Sequence, residues 1–171
     1  LHSFPTRRSS DLQVQTRNHT LKIIFEEREN IGVVVTVTML YIRFPLNMDI
    51  RHKRIQQVIK DAIEHTMTIE AQNYLPSRLR LLAEKNHFQF KDVSVRNTTS
   101  RWGSCAPDNS INLSIHLVRL PDELIDYVIL HELVHTVHKN HGVRFWNMLD
   151  KVAGQAKEKA RKMRQYQIGA Y

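Results

Sequence analysis

The N-terminal third of the chain has a pattern of apolar and polar positions that predicts β-strands. Residues 21–25 and 33–42 are rich in Val, Ile and Thr, which favour extended backbone. In the second run, valines partly alternate with threonines, as in a strand that buries one face. The Asn-Ile-Gly sequence at 30–32 is suited to a turn between the two runs. We therefore predict two strands here, separated by a turn.

After residue 50 the apolar positions recur at spacings of three and four, which is typical of amphipathic helices. This spacing predicts one helix from about residue 50 to 67 and a second at about 76–85, with a proline near its first turn. Short strands are predicted at 93–96 and 111–115. A further helix begins at Pro121, where proline and two acidic residues suit the positive end of a helix. Together these elements predict an α+β fold.

The first twelve residues, LHSFPTRRSSDL, match the translation of a common DNA-sequencing adapter. We interpret residues 1–12 as a disordered assembly artefact; a genuine basic, Ser-rich tail is the alternative. The remaining residues 13–171 contain no internal repeat and no Gly/Ser-rich linker, which predicts a single domain. Within it we expect N-terminal strands at 13–50, helices and the candidate site at 51–150, and a basic C-terminal helix at 151–171.

The composition excludes several classes of protein. The chain has 171 residues, a formal net charge of +8, a hydrophobic fraction of 42% and one cysteine. This apolar fraction is sufficient for a sizeable core and argues against wholesale disorder. A single cysteine excludes an intrachain disulfide, which indicates a reducing compartment and predicts a cytoplasmic protein. The longest apolar run, 31–42, is too short and too polar for a membrane span.

The helix that begins at Pro121 runs into the sequence HELVH at residues 131–135, which is an HExxH motif. Residues i and i+4 share a helical face about 6 Å apart, so both imidazoles can reach one metal ion. Glu132 lies a fraction of a turn away, where its carboxylate can act as general base on a metal-bound water. Chance would produce the motif roughly 0.03 times in a chain of this composition. The alternative is a helix with two solvated or hydrogen-bonded histidines.

Two later histidines, His138 and His141, are candidates for a third ligand. His138 shares a helical face with His131, but an intact helix would place their Cα atoms about 10.5 Å apart. That span stretches a tetrahedral site with zinc–nitrogen bonds of about 2.0–2.1 Å. His141 lies beyond Asn140, which could adopt the left-handed conformation that ends a helix and let the chain double back. We therefore predict that His131, His135 and His141 bind Zn²⁺, with His138 behind the ligands or exposed.

Several short segments occur around these histidines in a defined order. They are SRWGSC at 100–105, INL at 111–113, DYVILHELVH at 126–135, NH at 140–141 and FW at 145–146. In this combination the chain resembles the YgjP-like metallopeptidase family from about residue 21 to 146, and more loosely the SprT-like and WLM zincins. The resemblance implies a zincin-like α+β fold and a divalent metal, expected to be zinc. It assigns the metal to His131, His135 and His141, and the role of base to Glu132.

The segment 101–105 has two interpretations that we weigh equally. It could form an edge strand that pairs with an extended substrate, with Arg101 stabilising an oxyanion. Alternatively, it packs in the core and Arg101 forms a structural ion pair. We expect Cys105 to be a small buried hydrophobic residue rather than a fourth zinc ligand. We expect the aromatic residues Phe145 and Trp146 to pack under the loop that brings His141 back to the metal.

Our main functional hypothesis is a zinc-dependent metallopeptidase with an HExxHxxxxxH site that acts on a peptide or protein. One alternative is hydrolysis of a nucleotide phosphoanhydride at the same metal, although no Gly-rich phosphate cradle is visible. Another is a nucleic-acid-associated module with a structural zinc, which an adjacent glutamate argues against. Residues 151–171 carry six Lys and Arg against one Glu. They could contact phosphates of nucleic acid or nucleotide, but a solvated helical face is the favoured interpretation.

Overall fold

A computed structural model describes residues 13–169, so the suspected adapter sequence at 1–12 lies outside the described residues. Within that range the chain combines two β-sheets with four α-helices. The predicted α+β class, with a β-rich N-terminal part, is therefore confirmed. The chain divides into two compact units, up to Glu70 and from Ala71 onward. The assignment of residues 13–171 to a single domain stays a prediction.

The first unit contains a four-stranded sheet in the order β1-β2-β4-β3. Its strands are β1 (Gln13–Gln15), β2 (Thr20–Glu26), β3 (Gly32–Val35) and β4 (Met39–Pro45). The central strands β2 and β4 are parallel, whereas β1 and β3 pair antiparallel to their neighbours. Alternate residues of β2 and β4 are buried, because successive side chains of a strand point to opposite faces. This shared face forms the apolar core of the sheet.

The run 33–42, predicted as one strand, is instead two strands joined by a tight turn. β3 ends at Val35 and β4 begins at Met39. The backbone N–H of Thr36 donates to the carbonyl of Met39 at 2.8 Å. The Thr36 hydroxyl accepts from the Met39 N–H at 3.0 Å. The Thr36 side chain therefore supplies a hydrogen-bond acceptor for a backbone N–H of the turn. Threonine side chains can provide such local alternatives to strand pairing.

The two helices predicted over 50–85 are one continuous helix, α1 (Lys53–Lys85), with Pro76 inside it. Proline lacks the N–H that would donate to the carbonyl four residues earlier, which normally kinks or ends a helix. The burial pattern nevertheless continues through it at a spacing of four. The fully buried positions on this stripe are Met67, Ala71, Leu75 and Leu79. Burial on both sides of the proline therefore outweighs its local cost.

The second unit contains a three-stranded sheet and three further α-helices. The strands are β5 (Asp92–Arg96), β6 (Gly103–Cys105) and β7 (Ser110–Ser114), in the order β5-β7-β6. A short 3₁₀ helix at Ile115–Arg119 leads to α2 (Asp122–His135), α3 (Val143–Ala153) and α4 (Ala156–Met163). The strands and the helix predicted for this part are confirmed. None of the helices within residues 13–169 is both long and apolar enough to cross a bilayer.

Helix α2 is the central element of the second unit. Nine of its fourteen residues are buried, and a helix that is apolar around most of its circumference is a core helix. Arg78 on α1 forms a bidentate ion pair with Asp126 on α2, with Nε–Oδ1 at 2.7 Å and Nη2–Oδ2 at 2.5 Å. This hydrogen bonding raises the pKa of Arg78 above its usual range. The pair fixes the helix that carries the HExxH motif.

Replacement of Pro76 by alanine should stabilise the protein. Alanine restores the missing hydrogen bond and removes the ring from the helix interior, which we expect to raise the free energy of unfolding by about 1–3 kcal/mol. Ser77→Ala, at the neighbouring exposed position, is the control and should change it by less than about 0.5 kcal/mol. Urea unfolding followed by circular dichroism measures both. A loss of stability in Pro76→Ala would show that packing of the proline ring dominates.

Removal of one partner of the ion pair should destabilise the second unit. Asp126→Asn leaves a half-buried guanidinium without its carboxylate, and we expect a loss of about 1–3 kcal/mol. Arg78→Lys keeps the charge but not the two-pronged geometry, so a smaller loss is expected. Urea unfolding distinguishes the two variants. Equal stability of Asp126→Asn and the unaltered protein would contradict the importance of this pair.

Candidate metal centre

Three histidines from helix α2 and the loop that follows it converge on one point. The Nε2 atom of His141 lies 3.0 Å from that of His131 and 3.1 Å from that of His135. One ligand atom from each lies within 4.8 Å of the other two. A tetrahedral ion with bonds of about 2.0–2.1 Å needs nitrogens about 3.3 Å apart, so these side chains fit one small metal ion. No other group of this kind occurs among residues 13–169.

The hydrogen bonding of His135 leaves its Nε2 atom free to bind a metal. Its Nδ1 lies 3.0 Å from the backbone carbonyl of His138. A carbonyl only accepts, so Nδ1 carries the proton and Nε2 of the neutral ring keeps its lone pair. His138 therefore acts through its backbone, and its imidazole is not part of the cluster. Sequence reasoning missed this role because a backbone carbonyl leaves no trace in residue type.

Burial keeps the two helical imidazoles neutral. It lowers the pKa of His131 to about 3, with further lowering by His135 and His141. Burial is also the main cause that lowers the pKa of His135, while its hydrogen bond to His138 acts in the opposite sense. Metal binding requires neutral imidazole. At neutral pH both rings are thus in the form that a metal ion needs.

The chain turns back after α2 in a different way from the one expected at Asn140. Asn140 is not among the described residues with positive φ, so a left-handed asparagine does not end this helix. Instead, the N–H groups of Thr136 and Val137 each donate at 3.0 Å to carbonyls three residues earlier. Such bonds tighten the last turn of a helix. This tightening redirects the chain toward His141.

Phe145 packs against all three imidazoles. Its ring centroid lies 4.8 Å from that of His131, 4.6 Å from His135 and 4.7 Å from His141. The ring is fully buried, and it contacts Trp146 at 5.6 Å. The expected packing of these aromatics under the ligand loop is confirmed. Their contacts restrict the orientation of every ring in the cluster.

Glu132 is a buried carboxylate held against strand β6. Glu132 is only 6% exposed. A Cβ atom on Gly103 would lie 2.9 Å from the Cγ atom of Glu132 and 3.0 Å from its Oε1 atom. Glycine is therefore required by this close approach. Burial raises the pKa of Glu132 to about 7, against an opposing effect of the Arg101 charge. A carboxylate with a pKa near the working pH is suited to proton transfer.

The segment that contains Gly103 forms an edge strand. β6 pairs antiparallel with β7 and lies at the end of the sheet order, as the functional interpretation of residues 101–105 expects. Arg101 precedes the strand and is exposed. Within the described part of the chain it has no ion-pair partner, so the structural ion pair considered for it is not formed there. Its role in an oxyanion site stays a prediction.

Cys105 lies on β6, half-buried and outside the histidine cluster. Burial raises the pKa of its thiol, which makes the thiolate needed for metal binding less accessible. Lys139 lies close by, with Nζ 3.9 Å from Sγ. Sequence reasoning also missed Lys139, because a single exposed lysine in a loop carries no recognisable spacing.

Two buried histidines and the basic C-terminal segment lie outside the cluster. His19 and His116 are buried and hydrogen-bonded to Glu70 and Asn97. In the basic C-terminal segment, Lys162 Nζ lies 3.3 Å from a carboxylate oxygen of Glu123 on α2. Intramolecular contacts therefore occupy part of the charge that was considered for phosphate binding.

Comparison with known proteins gives a match over most of the chain. The sequence profile of the YgjP-like metallopeptidase domain matches residues 4–166. Among solved structures, the metallopeptidase zymogen jannalysin of Methanocaldococcus jannaschii is 22% identical, with a TM-score of 0.48 over 53% of this chain and 94% of that chain. The zymogen abylysin of Pyrococcus abyssi is 23% identical, with a TM-score of 0.46 over 53% and 93%. Among proteins of curated function, none matches this chain.

Substitution at Gly103 should disturb the packing of Glu132. Gly103→Ala places a methyl group within 3.0 Å of the carboxylate, and we expect a loss of about 1–3 kcal/mol in the free energy of unfolding. Gly142→Ala is the matched control. Nothing lies within 4 Å of a Cβ there and the backbone has φ −77°, so alanine should be tolerated. Equal effects of the two variants in urea unfolding would contradict the close contact.

Proposed function

Because the chain belongs to the YgjP-like metallopeptidase family, we propose that it is a zinc-dependent peptidase with a single catalytic centre. In this proposal the metal is held by His131, His135 and His141, and Glu132 is the general base. The observation that carries the proposal is the convergence of three Nε2 atoms next to a buried carboxylate. The family implies a metal ion and a peptide or protein substrate. The choice of zinc and the role of each residue are our assignments.

The set of donor atoms supports zinc. Three imidazole nitrogens converge, and no thiolate or carboxylate belongs to the group. Imidazole ligands suit zinc among the transition metals, and three protein ligands leave a fourth position open, as in catalytic rather than structural sites. When bound, the ion would polarise the scissile carbonyl and lower the pKa of water.

Glu132 is the residue that moves protons in this proposal. One of its carboxylate oxygens accepts a proton from the attacking water, and the same group then donates a proton to the leaving amine. A pKa of about 7 gives both forms of the carboxyl group near neutral pH. The contact with Gly103 holds the side chain in one place, which limits the reorganisation needed before proton transfer.

Strand β6 supports a peptide as substrate. It is an edge strand, so the backbone groups on its unpaired side can form hydrogen bonds with an extended peptide. Arg101, exposed at the start of this strand, would stabilise negative charge that develops on the carbonyl oxygen. No observation in the described residues favours the nucleotide or nucleic-acid alternatives over this one.

Two substitutions test the assignments separately. Glu132→Gln should keep zinc and reduce hydrolysis of unfolded casein by about 10²- to 10⁴-fold, since the proton acceptor is lost. His141→Ala should lose zinc, which metal analysis of the purified protein measures. His138→Ala is the matched control and should keep zinc, because only its backbone carbonyl contacts His135.

Three outcomes would contradict the proposal. Zinc retained in His141→Ala but lost in His138→Ala would overturn the choice of the third ligand. Undiminished casein hydrolysis in Glu132→Gln would overturn the assignment of the base. Absence of zinc from the unaltered protein, after incubation with a slight excess of the metal, would overturn the metal site as a whole.

A further inference from the structure

The loop at residues 136–142 links α2 to α3 and carries His141. Its first half is bound to the end of α2, because Thr136 and Val137 donate to its last turn and His138 N–H donates to the carbonyl of Val134 at 2.8 Å. Its second half has no such backbone support from α2. The Gly142 carbonyl accepts at 3.2 Å from the N–H of Trp146, which belongs to the first turn of α3. Apart from that bond and the contacts among the imidazoles, the described residues show one hydrogen-bonded connection from there to another element. That connection is made by Lys139.

Lys139 binds the turn between strands β6 and β7. Its Nζ donates to the side-chain oxygen of Asn109 at 2.5 Å and to the backbone carbonyl of Ala106 at 3.2 Å. A cationic donor makes shorter and stronger hydrogen bonds than a neutral one. The ligand loop is thus joined to the sheet that also contains Gly103.

The turn that receives Lys139 is itself well fixed. Asn109 has φ +67°, a left-handed conformation that asparagine tolerates. Its N–H donates to Ala106 at 3.0 Å, and its carbonyl accepts from the Lys91 N–H at 3.0 Å. The Lys91 ammonium lies 2.6 Å from Asp108. The acceptors of Lys139 therefore belong to a turn that is anchored on both its backbone and its side chains.

We propose that Lys139 is a positioning residue that holds the His141 loop in its metal-binding conformation and so increases the affinity of the centre for zinc. The proposal rests on the function assigned above. Two ligands come from one helix and are fixed by it, whereas the third comes from a loop that loses conformational freedom when a metal binds. A loop that is ordered before the metal arrives loses less of that freedom on binding.

The charge and the hydrogen bonds of Lys139 have opposite expected effects on the affinity for zinc. A positive charge near the histidines opposes the binding of a divalent cation. Removal of the ammonium would therefore strengthen zinc binding if its charge were its main effect. Removal would weaken zinc binding if the hydrogen bonds to Ala106 and Asn109 are its main effect. A dominant effect of charge and a dominant effect of the hydrogen bonds therefore predict opposite changes in zinc affinity.

The test is the zinc dissociation constant of the full chain, measured by competition with a chromophoric chelator. Lys139→Met should weaken zinc binding about 3- to 30-fold. This interval overlaps the lower part of the range found for groups that support metal ligands. Lys139→Arg can donate to the same acceptors and should restore most of the affinity. Lys157→Met removes an exposed lysine from α4 and should leave the affinity unchanged.

A second variant removes the partner instead of the lysine. Asn109→Gly keeps the left-handed backbone, which glycine adopts readily, and deletes the side-chain acceptor. Asn109→Gly should also weaken zinc binding. When Asn109→Gly is added to Lys139→Met, the further loss of zinc affinity should be smaller than the loss that Asn109→Gly causes alone. Thermal unfolding of the metal-free variants checks that the fold is kept.

The outcomes separate this inference from the proposed function. Unchanged or tighter zinc binding in Lys139→Met, in an unaltered fold, would overturn the positioning role while leaving the metal site intact. Full additivity with Asn109→Gly would also overturn it. Failure of the unaltered protein to bind zinc would overturn the proposed function, and the positioning role with it. If Lys139→Met does not fold, Asn109→Gly decides by the same criterion.

Discussion

The close approach of strand β6 to helix α2 is the contact on which the candidate site depends. At Gly103 a hydrogen atom faces Glu132, where a methyl group would lie within 3.0 Å of the carboxylate. This contact buries the carboxylate and thereby raises its pKa to about 7. The strand that carries Gly103 is also an edge strand of its sheet. One steric condition thus governs the residue that we propose as proton acceptor and involves the strand that we propose as the substrate surface.

The three histidines that we propose as metal ligands are positioned by two different kinds of structure. Helical geometry places His131 and His135 on one face without any further constraint. His141 depends on several weaker supports: the tightened end of α2, the ring of Phe145 against all three imidazoles and the connection through Lys139. Of the three proposed ligands, only His141 therefore requires the loop to be ordered. The affinity of the centre for metal is expected to be most sensitive to substitutions in that loop.

The sequence predicts best what short-range geometry determines. The HExxH helix and strands β2, β5 and β7 follow from apolar spacing alone. The continuity of α1 through Pro76 could not be predicted, because burial on either side of the proline decides it. The turn at Thr36 divides a run of strand-forming residues through a side-chain hydrogen bond.

Within the site, the same distinction holds. The three histidines are apparent from their spacing, whereas the contact of Gly103 with Glu132 joins segments about thirty residues apart in sequence. The His138 carbonyl and the Lys139 ammonium act through partners that no motif records.

X-ray absorption spectroscopy at the zinc edge of the loaded protein tests the proposed metal centre most directly. We expect one zinc per chain with three imidazole nitrogens at about 2.0–2.1 Å, one further oxygen and no sulfur. A sulfur ligand at about 2.3 Å, or fewer than three imidazoles, would contradict it.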